Sequence, residues 1–450
     1  MAAFSFLDRD NTVAGPGFSR WLVPPAALAI HLSIGQVYAF SVFKNPLLAM
    51  KAADGSSWDL KSIGYIFSIA IAVLGLSAAL FGKWLERAGP RKAMFVAACC
   101  FGLGFVIAAE GAATHQLWLI YLGYGVVGGI GLGLGYISPV STLIKWFPDR
   151  PGLATGMAIM GFGGGAMIGS PLATRLMAFY KAGGHAAIPS TWVTMGILYF
   201  VLMMFGVFTI RIPAKDWKPE GFMPATKSSG LISSHVVDAS TAIKTPQFWL
   251  LWIMLAVNVT AGIGILEQAS PMIQDLFKGH VLAVAAGGFV GVLSIFNMAG
   301  RFLWASLSDY IGRKMTFFAF FLIGPVLYWL LPYTGMAHLN SVLLFVLIAG
   351  LLITMYGGGF ATIPAYLRDL YGPNNVSAIH GRLLTAWSFA GIVGPLIVNG
   401  ILDHYVATGQ PKVNAYPVIL HIMTGLLLVG LIANLLVKPV AEKYWITEKS

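Results

Sequence analysis

Charge is what this sequence has least of. Asp, Glu, Lys and Arg make up 10% of its 450 residues, while 57% are hydrophobic; a soluble chain carries roughly a quarter charged residues. That scarcity excludes a soluble enzyme or binding module of this length. Cysteine is nearly absent too. Cys99 and Cys100 are adjacent inside an apolar run, which leaves no disulfide framework and no metal-ligand spacing, and they read as small packing residues. Long polar stretches and a Walker motif are missing, so an ATP-driven pump is not expected. No protease-like His/Asp/Ser set or metal constellation falls within the apolar runs. The chain is therefore expected to be no enzyme and to need no cofactor or metal. A net charge of +11 would suit nucleic acid, but the basic residues are dispersed over short loops instead of forming one patch.

What is present is apolar sequence from end to end. Twelve segments can be drawn, at approximately 21–43, 62–82, 93–112, 117–140, 153–174, 191–211, 247–267, 284–305, 316–332, 341–365, 383–402 and 417–437. Each is long enough to cross a bilayer at 1.5 Å per helical residue. Open sheets are excluded because unpaired backbone groups are too costly in hydrocarbon. The expected fold class is an all-α polytopic membrane protein, twelve transmembrane helices in two pseudo-symmetric six-helix bundles. The first segment is too long for a signal-peptide core and lacks a small-residue cleavage site, so it reads as a retained helix. The division expected is a tail at 1–20, a bundle at 21–211, a polar central loop at 212–246, a bundle at 247–437 and a tail at 438–450.

Cations orient the chain. With the N-terminus inside, inner connections and tails, including Pro224 and Lys227 in the loop and Lys449 in the tail, hold about three times as many Lys and Arg as outer ones. Both termini are therefore expected in the cytoplasm, with a bacterial inner membrane the expected location. The halves also echo one another. Segment two is followed by 82-GKWLERAGPRK-92 and segment eight by 305-ASLSDYIGRK-314. Each turn has an acid (Glu86, Asp309), a glycine three positions on, then basic residues (Arg91 and Lys92; Arg313 and Lys314). Matching turns at matching places imply an internal repeat. Glu86, Arg87, Arg91, Asp309, Arg313 and Lys314 are candidates for a latch, pairing between helices and meeting helix dipoles to hold one conformation.

One cation stands where none is expected. Arg301 lies in 284-VAAGGFVGVLSIFNMAGRFLWAS-306, deep in an apolar segment. An intramembrane charge costs at least a few kcal/mol and survives mainly where it faces water, a partner or a ligand. A guanidinium matches a carboxylate bidentately, so Arg301 points to a small organic anion. Its alternative is a structural arginine paired across the bundle, with Glu267 as the acid. His31 lies about 15 Å into the first helix and seven positions before Tyr38, facing nearly the same way. It reads either as a neutral imidazole bonded to a neighbouring helix or as a group coupling protons to anion movement. The glycine runs 128-GGIGLGLGYISP-139 and 161-GFGGGAMIGSP-171 follow no soluble strand, and read as helix packing and bending instead of phosphate loops. Gly357-Gly358-Gly359 and Gly394-Pro395 similarly suggest bendable helices.

The repeated turns resemble the signature of the major facilitator superfamily. More narrowly, 145-KWFPDRPGLATG-156, 244-KTPQFWLLW-252 and 296-FNMAGRFLWASLSDYIGRK-314 resemble the oxalate/formate antiporter family, relatives of the monocarboxylate transporters; the similarity covers about residues 20–438. The resemblance implies two six-helix bundles rocking around a small carboxylate at mid-membrane, in a carrier functional as a monomer. It places Arg301 at the family's substrate-binding arginine, and Tyr38, Tyr136, Tyr356 and Phe360 at positions lining the cavity. Two positions depart from the pattern. Val37 stands where the family has a glutamine, and Trp387, in 381-GRLLTAWSFAGIVGP-395, replaces a lysine that would meet a second carboxylate. Without that lysine a dianion keeps an uncompensated charge in low dielectric, so a monocarboxylate (formate, acetate, lactate or pyruvate class) is expected over oxalate, by exchange or with a proton. An oxalate/formate antiporter is the alternative within the class. A carboxylate-sensing receptor is the alternative outside it, but would want an added cytoplasmic domain.

Overall fold

A computed structural model of the protein describes residues 2–52, 54–215, 217–222, 230–233, 235–278, 281, 283–335 and 339–446, with the side chains of 2–4, 60, 267 and 283–287 left aside. Pro224, Lys227 and Lys449 lie outside the described residues, as does the Glu267 side chain. Among the described residues, twelve helices are long and apolar enough to cross a membrane. They are α1 Arg20–Leu48, α2 Lys61–Ala88, α3 Pro90–Ala113, α4 Leu117–Trp146, α5 Pro151–Ala182, α6 Ala187–Thr209, α7 Pro246–Leu266, α8 Gly288–Ile311, α9 Arg313–Gly335, α10 Val342–Tyr371, α11 Val376–Ala407 and α12 Lys412–Leu436. Large apolar side chains such as Leu80, Leu343 and Leu396 cover the outside, while buried polar groups such as Asn258, Asn297 and Arg301 face inward. This is the arrangement a hydrocarbon solvent selects.

Helix ends outrun the apolar segments. Hydropathy marks what sits in hydrocarbon, whereas backbone hydrogen bonding continues into the charged turns. Thus α2 carries on through Lys83, Glu86 and Arg87 until Gly89, whose φ of +87° breaks the helix; Gly312 does the same after α8 at +86°. Only glycine takes that backbone conformation without strain, so the sequence echo is also an echo of backbone geometry. The motif prolines Pro90, Pro151 and Pro246 stand in the first turns of α3, α5 and α7, where a missing N–H costs nothing.

Both tails and the central connection meet at one face, termed basal below. Val13 bridges Ile212, Arg20 pairs with Asp149 at 2.6 Å, and the Ile446 amide donates to the Val236 carbonyl. The first six spans meet the second six mainly along α5–α8 and α2–α11. Close approach rests on small residues, the main packing device when lipid removes the hydrophobic drive. A Cβ on Gly156 would lie 3.2 Å from the carbonyl oxygens of Arg301 and Phe302, and one on Gly163 would lie 3.0 Å from Arg301 Nε. The glycine run of α5 thus lets α8 press its arginine against the first half.

Candidate functional site

Arg301 is fully buried at the α5–α8 crossing. Its Nε donates to Asn297 Oδ1 at 2.9 Å, one turn earlier on the same face. Its Cζ lies 5.5 Å from the ring centre of Phe162 and 5.1 Å from that of Phe360, within cation–π range. Neither Nη1 nor Nη2 makes a well-formed hydrogen bond to a described residue, although the Tyr38 and Tyr136 hydroxyls lie close enough to interact, and no described carboxylate lies within 4 Å of the guanidinium. Unmet charged donors this deep are costly. They fit an anion that arrives from outside the protein.

The aromatic residues picked out from sequence converge around it. Over Gly35–Phe40, α1 tightens to a 3-10 path where Gly35 lies against Phe162 of α5, and this stretch carries Tyr38 to the boundary between halves. The Tyr38 and Tyr356 hydroxyls meet at 2.9 Å, linking α1 to α10. Trp387 packs 4.4 Å from Phe360, 5.2 Å from Phe162 and 5.4 Å from Tyr136, ring centre to ring centre. Tyr356 and Phe360, four residues apart, meet edge to face at 5.3 Å. All five rings, with Arg301, form one cage built from both sets of spans.

Three members were not singled out from sequence: Phe162, Asn297 and His380. Phe162 is the large side chain inside the glycine run of α5, touching Tyr38, Tyr136 and Trp387. Asn297 could have been found by its i, i+4 relation to Arg301. His380 is buried on α11, its ring 5.9 Å from that of Tyr136. His31 stands behind the same tyrosine: Nε2 lies 3.2 Å from the Tyr136 carbonyl, as an N–H donor would, and the rings are edge-on at 5.4 Å. Val37 turns away from the cage, toward Phe101, Phe105 and Tyr124 within the first half, and its neighbour Gln36 accepts from the Tyr124 hydroxyl at 3.4 Å.

The repeated turns do two different jobs. The acids cross the seam. Asp309 Oδ1 and Oδ2 each accept a 2.8 Å hydrogen bond from α5, from the Gly152 and Leu153 amides, which have no intrahelical acceptor in a first turn. Glu86 Oε1 accepts from the Ala378 amide of α11 at 3.2 Å. Arg313 backs the first contact, with Nη2 2.6 Å from Asp309, Nε 3.0 Å from Asp369, and Nη1 on Ser308 Oγ. The other basic residues correct the latch expectation. Arg91 donates to the Phe6, Asn11 and Ile210 carbonyls, and Lys314 to those of Leu435 and Val437. Each stays within its own half, because the positive-φ glycine turns the chain back before them. Arg87 is exposed and pairs with no described carboxylate.

Twelve spans in two sets, closed around a buried cation, define a solute carrier of the membrane. The chain belongs to the Major Facilitator Superfamily, whose family model matches residues 17–395; it is an integral membrane transporter and not an enzyme. It is 26% identical over 379 residues to the uncharacterised MFS-type transporter YhjX of Escherichia coli, covering 83% of this chain and 86% of that one. It is 25% identical over 380 residues to the oxalate:formate antiporter of Oxalobacter formigenes, covering 84% and 83%. Its fold matches the solved Escherichia coli fucose:proton symporter with a TM-score of 0.64 at 12% identity, over 92% of this chain and 98% of that one.

Proposed function

We propose that the protein carries small monocarboxylates, of the formate, acetate, lactate or pyruvate class, by alternating access. The observation that carries this reading is Arg301, fully buried with no described carboxylate beside it and no well-formed hydrogen bond at either terminal nitrogen. A carboxylate would satisfy the two donors at once. The surrounding rings would strip its water and strengthen the pairing. Trp387 adds no charge where a second cation would be needed, so a monoanion leaves the site neutral and a dianion does not. The oxalate:formate antiporter of Oxalobacter formigenes supports the carboxylate class, formate being the singly charged member of its pair.

The same electrostatics favours exchange. A loaded site is neutral, whereas an unloaded Arg301 must cross the low-dielectric barrier as a bare cation. His31, against Tyr136, is the group through which a proton would enter if uptake instead follows a pH gradient. In this reading the bundles at 21–211 and 247–437 rock as units in a monomer. Glu86, Asp309 and Arg313 hold the closed basal seam, and the cation-rich basal face lies in the cytoplasm of a bacterial inner membrane. Reconstitution in liposomes tests it: labelled formate, acetate, lactate, pyruvate and oxalate are offered with and without internal counter-substrate and a pH gradient. Counter-substrate should accelerate monocarboxylate uptake. Uptake of none of these anions would sink the proposal.

A further inference from the structure

Away from the cage, the basal seam holds a second concentration of positive charge. Arg9 of the N-terminal tail, Arg87 at the end of α2 and Lys145 at the end of α4 line a cavity of about 380 Å³, with Glu86 and Asn374. The three cations reach it from separate elements: Arg9 and Arg87 are exposed, and Lys145 has an accessible side chain that the protein around it nonetheless largely desolvates. Lys145 is close enough to Arg9 to be repelled and to Glu86 to be attracted. None of the three lies within 4 Å of a described carboxylate, and Glu86 already accepts from the Ala378 amide. Like charges gathered around a concavity repel unless an anion sits between them.

We propose that this cavity is a second anion site, separate from Arg301, which binds a phosphate-bearing anion and holds the halves together at the basal face. Two guanidinium forks and an ammonium against one carboxylate leave an excess of two charges, which matches a phosphate dianion. The volume admits a phosphate with a substituent. Arg9, Arg87 and Lys145 belong to the first half and Asn374 to the second, so the closed seam brings all of them to one ligand. A ligand that prefers one state shifts the equilibrium toward it. Binding is independent of which substrate is carried; only the effect on turnover rests on the alternating-access reading. The phosphate could be free in water or belong to a lipid headgroup.

The test uses the full chain, delipidated in detergent, melted against increasing inorganic pyrophosphate at constant ionic strength set with chloride. A saturable rise in Tm is expected, not reversed by formate, with half-saturation moved up at least tenfold in Lys145→Gln and in Arg9→Gln. Arg9 is exposed, and the comparison of pyrophosphate with chloride needs no variant. Nanodiscs identify the source. If a headgroup supplies the phosphate, phosphatidylglycerol discs melt higher than phosphatidylcholine discs, through Lys145 and Arg9, and pyrophosphate adds nothing further. If the ligand is free, pyrophosphate stabilises both discs alike. No stabilisation beyond chloride, or unchanged half-saturation in both variants, would overturn the site. Failed formate uptake with pyrophosphate binding intact would sink the carboxylate reading and leave this one standing.

Discussion

Two arginines on the second half, Arg301 and Arg313, are both buried, yet their surroundings are opposite. Arg313 has each nitrogen matched: Asp309, Asp369 and Ser308 take its hydrogen bonds. Arg301 has one well-formed hydrogen bond, to the neutral Asn297, and otherwise meets only aromatic rings and the neutral Tyr38 and Tyr136 hydroxyls. A cation completed by its own protein is fixed and serves to hold a geometry. One left with open donors among desolvating rings is kept for something that comes and goes. On the proposed reading, Arg313 is the lock and Arg301 the site.

Replacing each arginine by glutamine should break the contrast most visibly. Arg301→Gln should abolish carboxylate uptake while leaving Tm unchanged or raised, because it removes an unpaired buried charge. Uptake and melting of the same preparation check this, and a strongly lowered Tm would mean that Arg301 is structural. Arg313→Gln should do the reverse. It removes the ion-pair partner of Asp309 and Asp369, leaving only Arg368 at longer range, and should cost about 3–5 kcal/mol of stability, read by chemical or thermal unfolding in detergent; a silent variant would remove it from the lock.

Smaller changes sharpen the picture. Trp387→Lys introduces a second cation opposite Arg301 and should shift preference toward oxalate at least tenfold, given a few kcal/mol for charges about 4 Å apart at an effective dielectric near 20. Competition of mono- and dicarboxylates against one labelled substrate measures it, after expression is checked for the void left by the indole. Equal preference in the unmodified protein would defeat the single-charge argument. Asp309→Asn weakens two charge-assisted bonds to the α5 amides, and should change turnover a few-fold with little effect on KM, since it biases access states. A pure rise in KM would contradict that role.

Much of the fold and of the cage is legible in the sequence. An arginine in hydrocarbon is conspicuous, and the family pattern gathered Tyr38, Tyr136, Tyr356, Phe360 and Trp387 although Tyr38 and Tyr356 lie 318 residues apart. What escaped had physical reasons. Phe162 is one of 29 phenylalanines and hides in a run that reads as glycine packing. His380 precedes the apolar stretch 383–402, while the helical structure begins at Val376. For Arg91 and Lys314 the repeat announced a turn but not its direction, which the φ of Gly89 and Gly312 decides.

The seam contact at Asp309 is asymmetric in what heredity can alter. Its acceptor is a side chain, but its donors are the main-chain amides of Gly152 and Leu153, which almost every residue supplies. At 153 any residue but proline keeps the donor, whereas at 152 even a single Cβ would run into the Ala305 carbonyl oxygen, the Arg313 guanidinium and Asp309 itself. The contact is therefore set by one acid at 309 and one glycine at 152. On the alternating-access reading, a lineage that needed a faster or slower transporter could reset the tempo at either of these positions, far along the helices from Arg301.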